Sequence, residues 1–501
     1  MKTSNKEILK SSALGVMGKV LTAGLNFFSL PLLIAIYGKP SFGLIGVALS
    51  TNAFLQIVHI GVPTGAVKYF SEWIEAKDFT ALRNGMQTNL FFFTLVGFIN
   101  SAILIYIAFH TGEYFNVTEP DVLKKLILIL ALTSFLNWYF IGFQHLLMAY
   151  EKVSSVNIAN SVVSLFNFGS VVLAYYSHIS LVQYFLIYSF TNLIVIPVVL
   201  FSCYKIKVLQ KDYFIPFYRK SEFKIIMGYS LGLFGMAIFQ YMANQSQPLI
   251  LGAMAVNGDV EVANYRILQN VTMLISIMGG IFLQSFLPYI SKINYRGDQE
   301  KMRSFAVAST KWLSTFIFFI SLFIALNSEK ILHAYVGDNA EGLSIWLSIW
   351  MIGLLYLNNQ GISSIILGLG RFREVLIGLF FASTFAIGFS LMNVKSLGVG
   401  VAAISYLGYK TIEAIFIYAY YLPKVAKISP RLILTKSILP PLLISIASIG
   451  LVKLFFNSLS IKHDLVYLAF NGAGCLAIHL ILIYYFILSG AERAQLRNVA
   501  R

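Results

Sequence analysis

Apolar residues run through this chain in fourteen long segments, each about 18 to 28 residues, separated by short polar joints. A helix rising about 1.5 Å per residue crosses the ~30 Å hydrocarbon core of a bilayer in that length. The pattern predicts helices over 11–37, 42–67, 85–110, 125–148, 156–177, 180–204, 225–253, 263–290, 311–327, 343–368, 375–394, 399–421, 437–456 and 465–488. In lipid every backbone amide must find its partner inside the segment, so the expected fold is an all-α polytopic membrane bundle.

Composition narrows the picture without changing it. The 501 residues are 58% hydrophobic and 12% charged, and mean hydropathy is +0.76, which excludes a soluble multidomain enzyme. A net charge of +16 would suggest nucleic acid in a soluble protein. Here the placement of the cations speaks against that partner, because 27 of the 37 Lys and Arg fall in the tails and the even-numbered joints. By the positive-inside rule both termini are expected in the cytoplasm. The acids Glu113, Glu119, Asp121, Asp259, Glu261, Asp338 and Glu341 then fall on the outer side. The first segment is longer than a signal-peptide core and is expected to stay as an anchor. Cys203 and Cys475 lie in or beside apolar segments and read as packing residues.

The chain echoes itself. Pro31-Leu-Leu-Ile in segment 1 returns as Pro248-Leu-Ile-Leu in segment 7, and Leu147-Met-Ala-Tyr-Glu-Lys-Val after segment 4 is echoed by Leu367-Gly-Leu-Gly-Arg-Phe-Arg-Glu-Val after segment 10. Both echoes are about 220 residues apart, which implies a repeat of six helices related by an axis along the membrane normal. The expected domains are an N-lobe over 1–204, a cytoplasmic linker over 205–224, a C-lobe over 225–421, and appended helices 13 and 14 with the tail over 422–501. Substrate is expected between the lobes. The linker carries Lys205, Lys207, Lys211, Arg219, Lys220 and Lys224, and is either a seat for anionic lipid headgroups or simply the strongest topology signal.

Polar residues inside membrane helices face an interior or a cavity, and their spacing picks out faces. Segment 1 carries Lys19, Thr22, Asn26 and Ser29 on one stripe, segment 2 carries Asn52, Gln56 and His59, segment 5 carries Asn157, Asn160, Ser164 and Asn167, and segment 7 carries Gln240, Asn244 and Gln247. They line a hydrated cleft or serve as interhelical hydrogen bonds. The ionisable residues within segments are Lys19, Arg266, Lys410 and Lys453, against the single acid Glu413. Lys453, near a segment end, reads as snorkelling. Lys19, Arg266 and Lys410 are the candidate cationic substrate ligands. Glu413, three residues from Lys410, either neutralises it or takes part in ion coupling, and His59 is a core histidine or a proton switch.

Catalytic signatures are missing from the sequence. It holds no GxxxxGK[ST] phosphate loop, no HExxH and no CxxC, so no cofactor, metal or direct use of ATP is expected, while coupling to a proton or sodium gradient stays open. Outer joints of about fifteen residues or fewer leave little room for a glycosyltransferase or polymerase site. Asn116-Val-Thr118 matches a glycosylation sequon and reads as chance in a bacterial chain.

Leu14-Gly-Val-Met-Gly followed by Pro31, Ser41-Phe-Gly-Leu-Ile-Gly, His59-Ile-Gly-Val-Pro-Thr-Gly-Ala-Val-Lys-Tyr and Leu367-Gly-Leu-Gly-Arg-Phe-Arg occur in this order. With them the chain resembles the polysaccharide transporter branch, above all the Wzx O-antigen flippases, of the multidrug/oligosaccharidyl-lipid/polysaccharide (MOP) flippase superfamily. That resemblance implies a V-shaped bundle of two lobes that moves an undecaprenyl-diphosphate-linked oligosaccharide from the cytoplasmic to the outer leaflet by alternating access. It implies partners in the lipid-linked substrate, anionic lipids, and a polysaccharide polymerase with its chain-length machinery. Cations suit the diphosphate, and Asn, Gln and Tyr suit glycan hydroxyls. Many relatives have Asp where His59 stands, and fourteen helices exceed the usual twelve. The alternatives, in order, are a lipid II-type precursor flippase, a multidrug exporter of the same superfamily, and a membrane glycosyltransferase.

Overall fold

The computed structural model describes residues 5–56, 62–370, 372–456, 463–490 and 492–493. Among them every regular element is a helix. Among the described residues eleven helices are long and apolar enough to cross a membrane, and the protein is a multi-pass membrane protein. The remaining three predicted segments fall on Lys39–Leu55 with Val62–Glu75, on the 35-residue helix Lys220–Met254 and on the 38-residue helix Gly258–Tyr295. The two echoed prolines, Pro31 and Pro248, both lie inside continuous helices, where neighbouring groups in a membrane bundle can satisfy the freed carbonyl.

The chain packs as two compact units, one of residues 1–267 with 390–399 and the other of 268–389 with 400–501. In the first, Phe70, Met86, Phe93, Trp138 and Phe143 form a core that reaches the buried free Cys203 and Tyr213 of the short 3₁₀ helix Lys211–Phe214. The helix Lys220–Met254 packs on Lys39–Leu55, Val62–Glu75 and Phe79–Phe109, made possible where Gly65 lets Ser230 and Ile226 approach. In the second unit, Gln299–Leu326 is the hub, touching Ser344–Leu354, Gln360–Leu369 and Leu439–Phe456. Cys475 is buried and free there, beside Ile449 and Val452. Phe98, Met392 and Phe486 are 65%, 86% and 72% exposed, a state that lipid tolerates and water does not.

Two membrane helices are interrupted. Leu181–Asn192 gives way to Val195–Lys205, and Asn167 holds the end of the first piece, donating to Asn192 Oδ1 at 3.3 Å and accepting from Thr191 Oγ1. Ser344–Leu354 passes through a tight 3₁₀ turn, Leu355–Asn359, into Gln360–Leu369. Buried interruptions of this kind need side chains to satisfy the freed backbone groups. Asn359 does so by donating to Tyr356 O at 3.2 Å.

Candidate functional site

The first unit seats Arg266 by packing one helix face against a stripe of small residues on another. Gly43, Gly46 and Ser50 recur at i, i+3 and i+7 on Lys39–Leu55, and Asp259, Val262 and Arg266 recur at the same intervals on Gly258–Tyr295. A Cβ on Gly43 would stand 1.9 Å from Asp259 O, and one on Gly46 would stand 2.7 Å from Val262 and 3.4 Å from Arg266 Cγ. Only glycine allows this approach, the small-residue packing expected where lipid offers no hydrophobic drive. The guanidinium of Arg266 thereby donates to Ser50 Oγ at 2.6 Å and reaches Gly46 O at 3.4 Å. Tyr188 and Tyr265 are its electrostatic neighbours. Asp259 is fully buried and holds the chain at Thr118, accepting from its amide at 3.0 Å and from its hydroxyl.

The second unit seats its cation locally. Lys410 Nζ lies 2.8 Å from Glu413 Oε2, with the side chains 18% and 10% exposed. Three rings surround the ammonium, at 4.7 Å for Tyr356, 5.1 Å for Tyr409 and 6.0 Å for Tyr406. Each ring face attracts a cation, by about 1 to 2 kcal/mol when desolvated. Tyr356 belongs to the 3₁₀ interruption, so the broken helix and the ion pair form one cluster. Tyr418 extends it by donating to Asn359 Oδ1 at 2.5 Å, and Asn358 donates to Ser314 Oγ at 2.9 Å.

The remaining polar stripes have several fates. Lys19 and Asn26 are exposed on Asn5–Tyr37, while Thr22 of the same stripe meets Ser164 Oγ at 3.0 Å, joining the stripes of segments 1 and 5. Asn52 Oδ1 accepts from Ser134 at 3.1 Å and from Asn100 at 3.4 Å. Gln56 is the half-buried cap residue of Lys39–Leu55, and His59 lies outside the described residues. Asn157 is half-buried and Asn160 exposed. Gln240 and Asn244 are both exposed, with Asn244 donating to Gln240 O at 2.8 Å. Gln247 is buried and accepts from Ser390 Oγ at 2.8 Å. Lys453 donates to Leu326 O at 3.3 Å near a helix end. Asn116 of the sequon bonds Ala255 O and Val256 O, each at 2.8 Å, and so serves as a structural clasp.

The sequence analysis did not single out Ser50 or the tyrosine ring around Lys410. The signal for the latter was present, since Tyr406, Tyr409, Lys410 and Glu413 lie three and four residues apart on one helix face. Tyr356 could not be found that way, because it comes from another helix.

Comparison with known proteins follows the fold closely. The lipid II flippase MurJ in an inward closed conformation superposes with a TM-score of 0.69 at 15% identity, covering 98% of this chain and 100% of that one. An inward-facing multidrug resistance MATE family transporter of the MOP superfamily gives 0.65 at 14%, covering 81% and 95%. A MOP superfamily transporter from Pyrococcus furiosus gives 0.57 at 17%, covering 85% and 100%. At these identities the likeness establishes the MOP fold. No curated protein matches the sequence. The sequence of residues 8–294, more than half of the chain, does fit one described family, and on that match this MOP-fold membrane protein belongs to the polysaccharide biosynthesis protein family.

Proposed function

We propose that this protein is a transporter, a flippase that carries an undecaprenyl-diphosphate-linked oligosaccharide from the cytoplasmic to the outer leaflet by alternating access. The observation that carries the reading is the pair of cations, Arg266 and Lys410, held within apolar helices of a chain from a polysaccharide biosynthesis family. A charge at mid-bilayer costs about 2.5 to 3.5 kcal/mol on insertion scales, so its retention calls for a reason. A diphosphate supplies one, because charge-assisted bonds to phosphate are the strong ones. Lys19 is the third proposed ligand. The amides at Asn26, Asn157, Asn160, Gln240 and Asn244 suit glycan hydroxyls, and Glu413 is the proposed partner of any coupling ion.

A second reading, a lipid II-type flippase, is favoured by the match to MurJ along 98% of the chain. Deleting the gene and identifying the lipid that accumulates separates the readings. An unflipped oligosaccharide lipid supports the first, accumulated lipid II the second, and an incomplete glycan would make the protein an enzyme. For orientation we place both termini in the cytoplasm of a bacterial inner membrane. A cysteine at the exposed Asn257 should react with an impermeant thiol reagent added outside cells, and one at Asp212 should not. Asn116 is unsuited to that probe because its side chain clasps the Ala255–Val256 turn.

A further inference from the structure

One face of the helix Gln299–Leu326 changes character along its length. At one end a hollow of about 390 Å³ is lined by Arg303, Lys311 and Lys436 together with Glu300, Glu492 and Trp312. Next to it lies a second hollow of about 250 Å³ with apolar walls, among them Phe286, Phe305, Leu313 and Phe316. Ala308 and Trp312 belong to both hollows, so the two adjoin. On this helix the basic hollow takes Arg303 and Lys311 and the apolar one takes Phe305, Leu313 and Phe316, with Trp312 shared, so the apolar hollow lies beside the basic one, offset by about one turn toward Phe316. A basic hollow beside an apolar one, with an indole shared between them, suits the headgroup and chain of a phospholipid at the membrane interface, where Trp and Tyr sit at headgroup depth.

The parts are fixed in place. Trp312 packs against the cluster of Ile444, Ile483 and Ile487, and Phe286 meets Phe305 edge-on with ring centres 5.2 Å apart. Lys311 donates to Ile487 O at 2.9 Å, which leaves an ammonium with three donors further capacity for an anion. Three cations face two carboxylates, so the hollow favours a single phosphodiester over a polyanion.

We propose that this pair of hollows binds one anionic phospholipid of the surrounding leaflet, its phosphate among Arg303, Lys311 and Lys436 and one acyl chain along Phe286, Phe305, Trp312 and Phe316. The site shares no residue with the Arg266 contacts or the Lys410 cluster, and its bound lipid would bridge the hub helix to Lys436 of the segment Leu434–Ile438.

The test uses the full chain reconstituted in phosphatidylcholine vesicles containing either phosphatidylglycerol or phosphatidylcholine brominated on the acyl chains. Bromine quenches a neighbouring indole, and the contribution of Trp312 is the difference between the unaltered protein and Trp312→Phe. Trp312 should be quenched at a lower fraction of brominated phosphatidylglycerol than of brominated phosphatidylcholine. Arg303→Gln and Lys436→Gln, both at exposed positions, should each weaken that preference about fivefold. Equal quenching by the two lipids, or a preference unchanged in both variants, would overturn the proposal. Loss of the preference on adding inorganic phosphate would reassign the hollow to a free anion. Quenching that follows protein density instead of lipid identity would assign the face to a second copy of the chain. Because the readout requires no transport and both leaflets carry the probe, its failure is distinguishable from failure of the flippase reading or of the orientation.

Discussion

Arg266 and Lys410 are both cations within apolar helices, yet they are held in opposite ways. Arg266 donates to an oxygen 216 residues away in sequence, across a helix contact that two glycines permit. Lys410 pairs with an acid one turn further along its own helix and is enclosed by tyrosines. The first arrangement depends on tertiary packing, so its geometry changes whenever those two helices separate. The second is largely local, so it persists as long as its helix does. A protein that must grip and release an anion gains from having one cation of each kind, because movement between helices can alter one site and spare the other.

The most disruptive way to break this comparison is Gly43→Leu. Its Cβ would overlap the backbone carbonyl of Asp259, which cannot turn aside as a side chain would, and overpacking of this kind costs about 1 to 3 kcal/mol or more. We expect loss of folded protein, read as a collapse of the monodisperse peak in detergent chromatography. Gly24→Ala, where a Cβ meets nothing within 4 Å, should leave that peak intact. Equal behaviour of the two variants would mean that the stripe does not hold Arg266.

Next in size are Arg266→Ala and Lys410→Ala. Removing a charged hydrogen-bond donor to phosphate forfeits about 1.5 to 3 kcal/mol, so transport of the lipid-linked glycan should fall about tenfold or more. The variants should differ in stability. Ser50 keeps its own bond to Gly46 O, at 2.6 Å, when Arg266 is removed, whereas removing Lys410 strands the carboxylate of Glu413. An uncompensated buried charge is strongly destabilising, so Lys410→Ala should unfold at a lower temperature, and Lys410→Ala with Glu413→Ala should recover. Full transport in both single variants would remove these residues from the binding assignment.

The same contrast explains what the sequence could reveal. Hydrophobic runs alone gave the membrane bundle, since span length and backbone satisfaction leave few alternatives. The pair Lys410 and Glu413 was legible because three residues on a helix place side chains together. The contact of Arg266 with Ser50 was not, because register between helices 216 residues apart leaves no local trace beyond the Gly43 and Gly46 spacing. Asp259 shows the same limit. Its position in a joint suggested an acid in water, and the fold instead buries it on Thr118. Asn52 and Asn167 showed a periodic polar face in sequence, but only the structure reveals that they bond Ser134 and Asn192.

Glu413→Gln sharpens the comparison with a smaller effect whose sign is informative. If Glu413 keeps Lys410 charged in its low-dielectric surroundings, the amide variant destabilises the ammonium by desolvation and transport falls. If Glu413 competes with substrate for Lys410, the variant frees the cation and transport rises. We expect the fall, because the two groups are 2.8 Å apart and nearly enclosed. A gain in transport at unchanged expression would establish competition.

The smallest expected effect asks whether the tyrosine enclosure exists for substrate or for stability. Tyr409 keeps its ring 5.1 Å from the Lys410 ammonium, while its buried hydroxyl has no hydrogen-bond partner among the described residues. A buried hydroxyl left unsatisfied costs about 1 to 3 kcal/mol, so Tyr409→Phe should raise the unfolding temperature slightly while preserving the cation–ring attraction. Tyr409→Leu removes the ring and should lower it. Transport decides what the hydroxyl is for. If it waits for a glycan or phosphate oxygen, Tyr409→Phe becomes more stable and slower together, a divergence that a purely structural tyrosine cannot produce. If stability rises and transport is unchanged, the enclosure acts only through its rings.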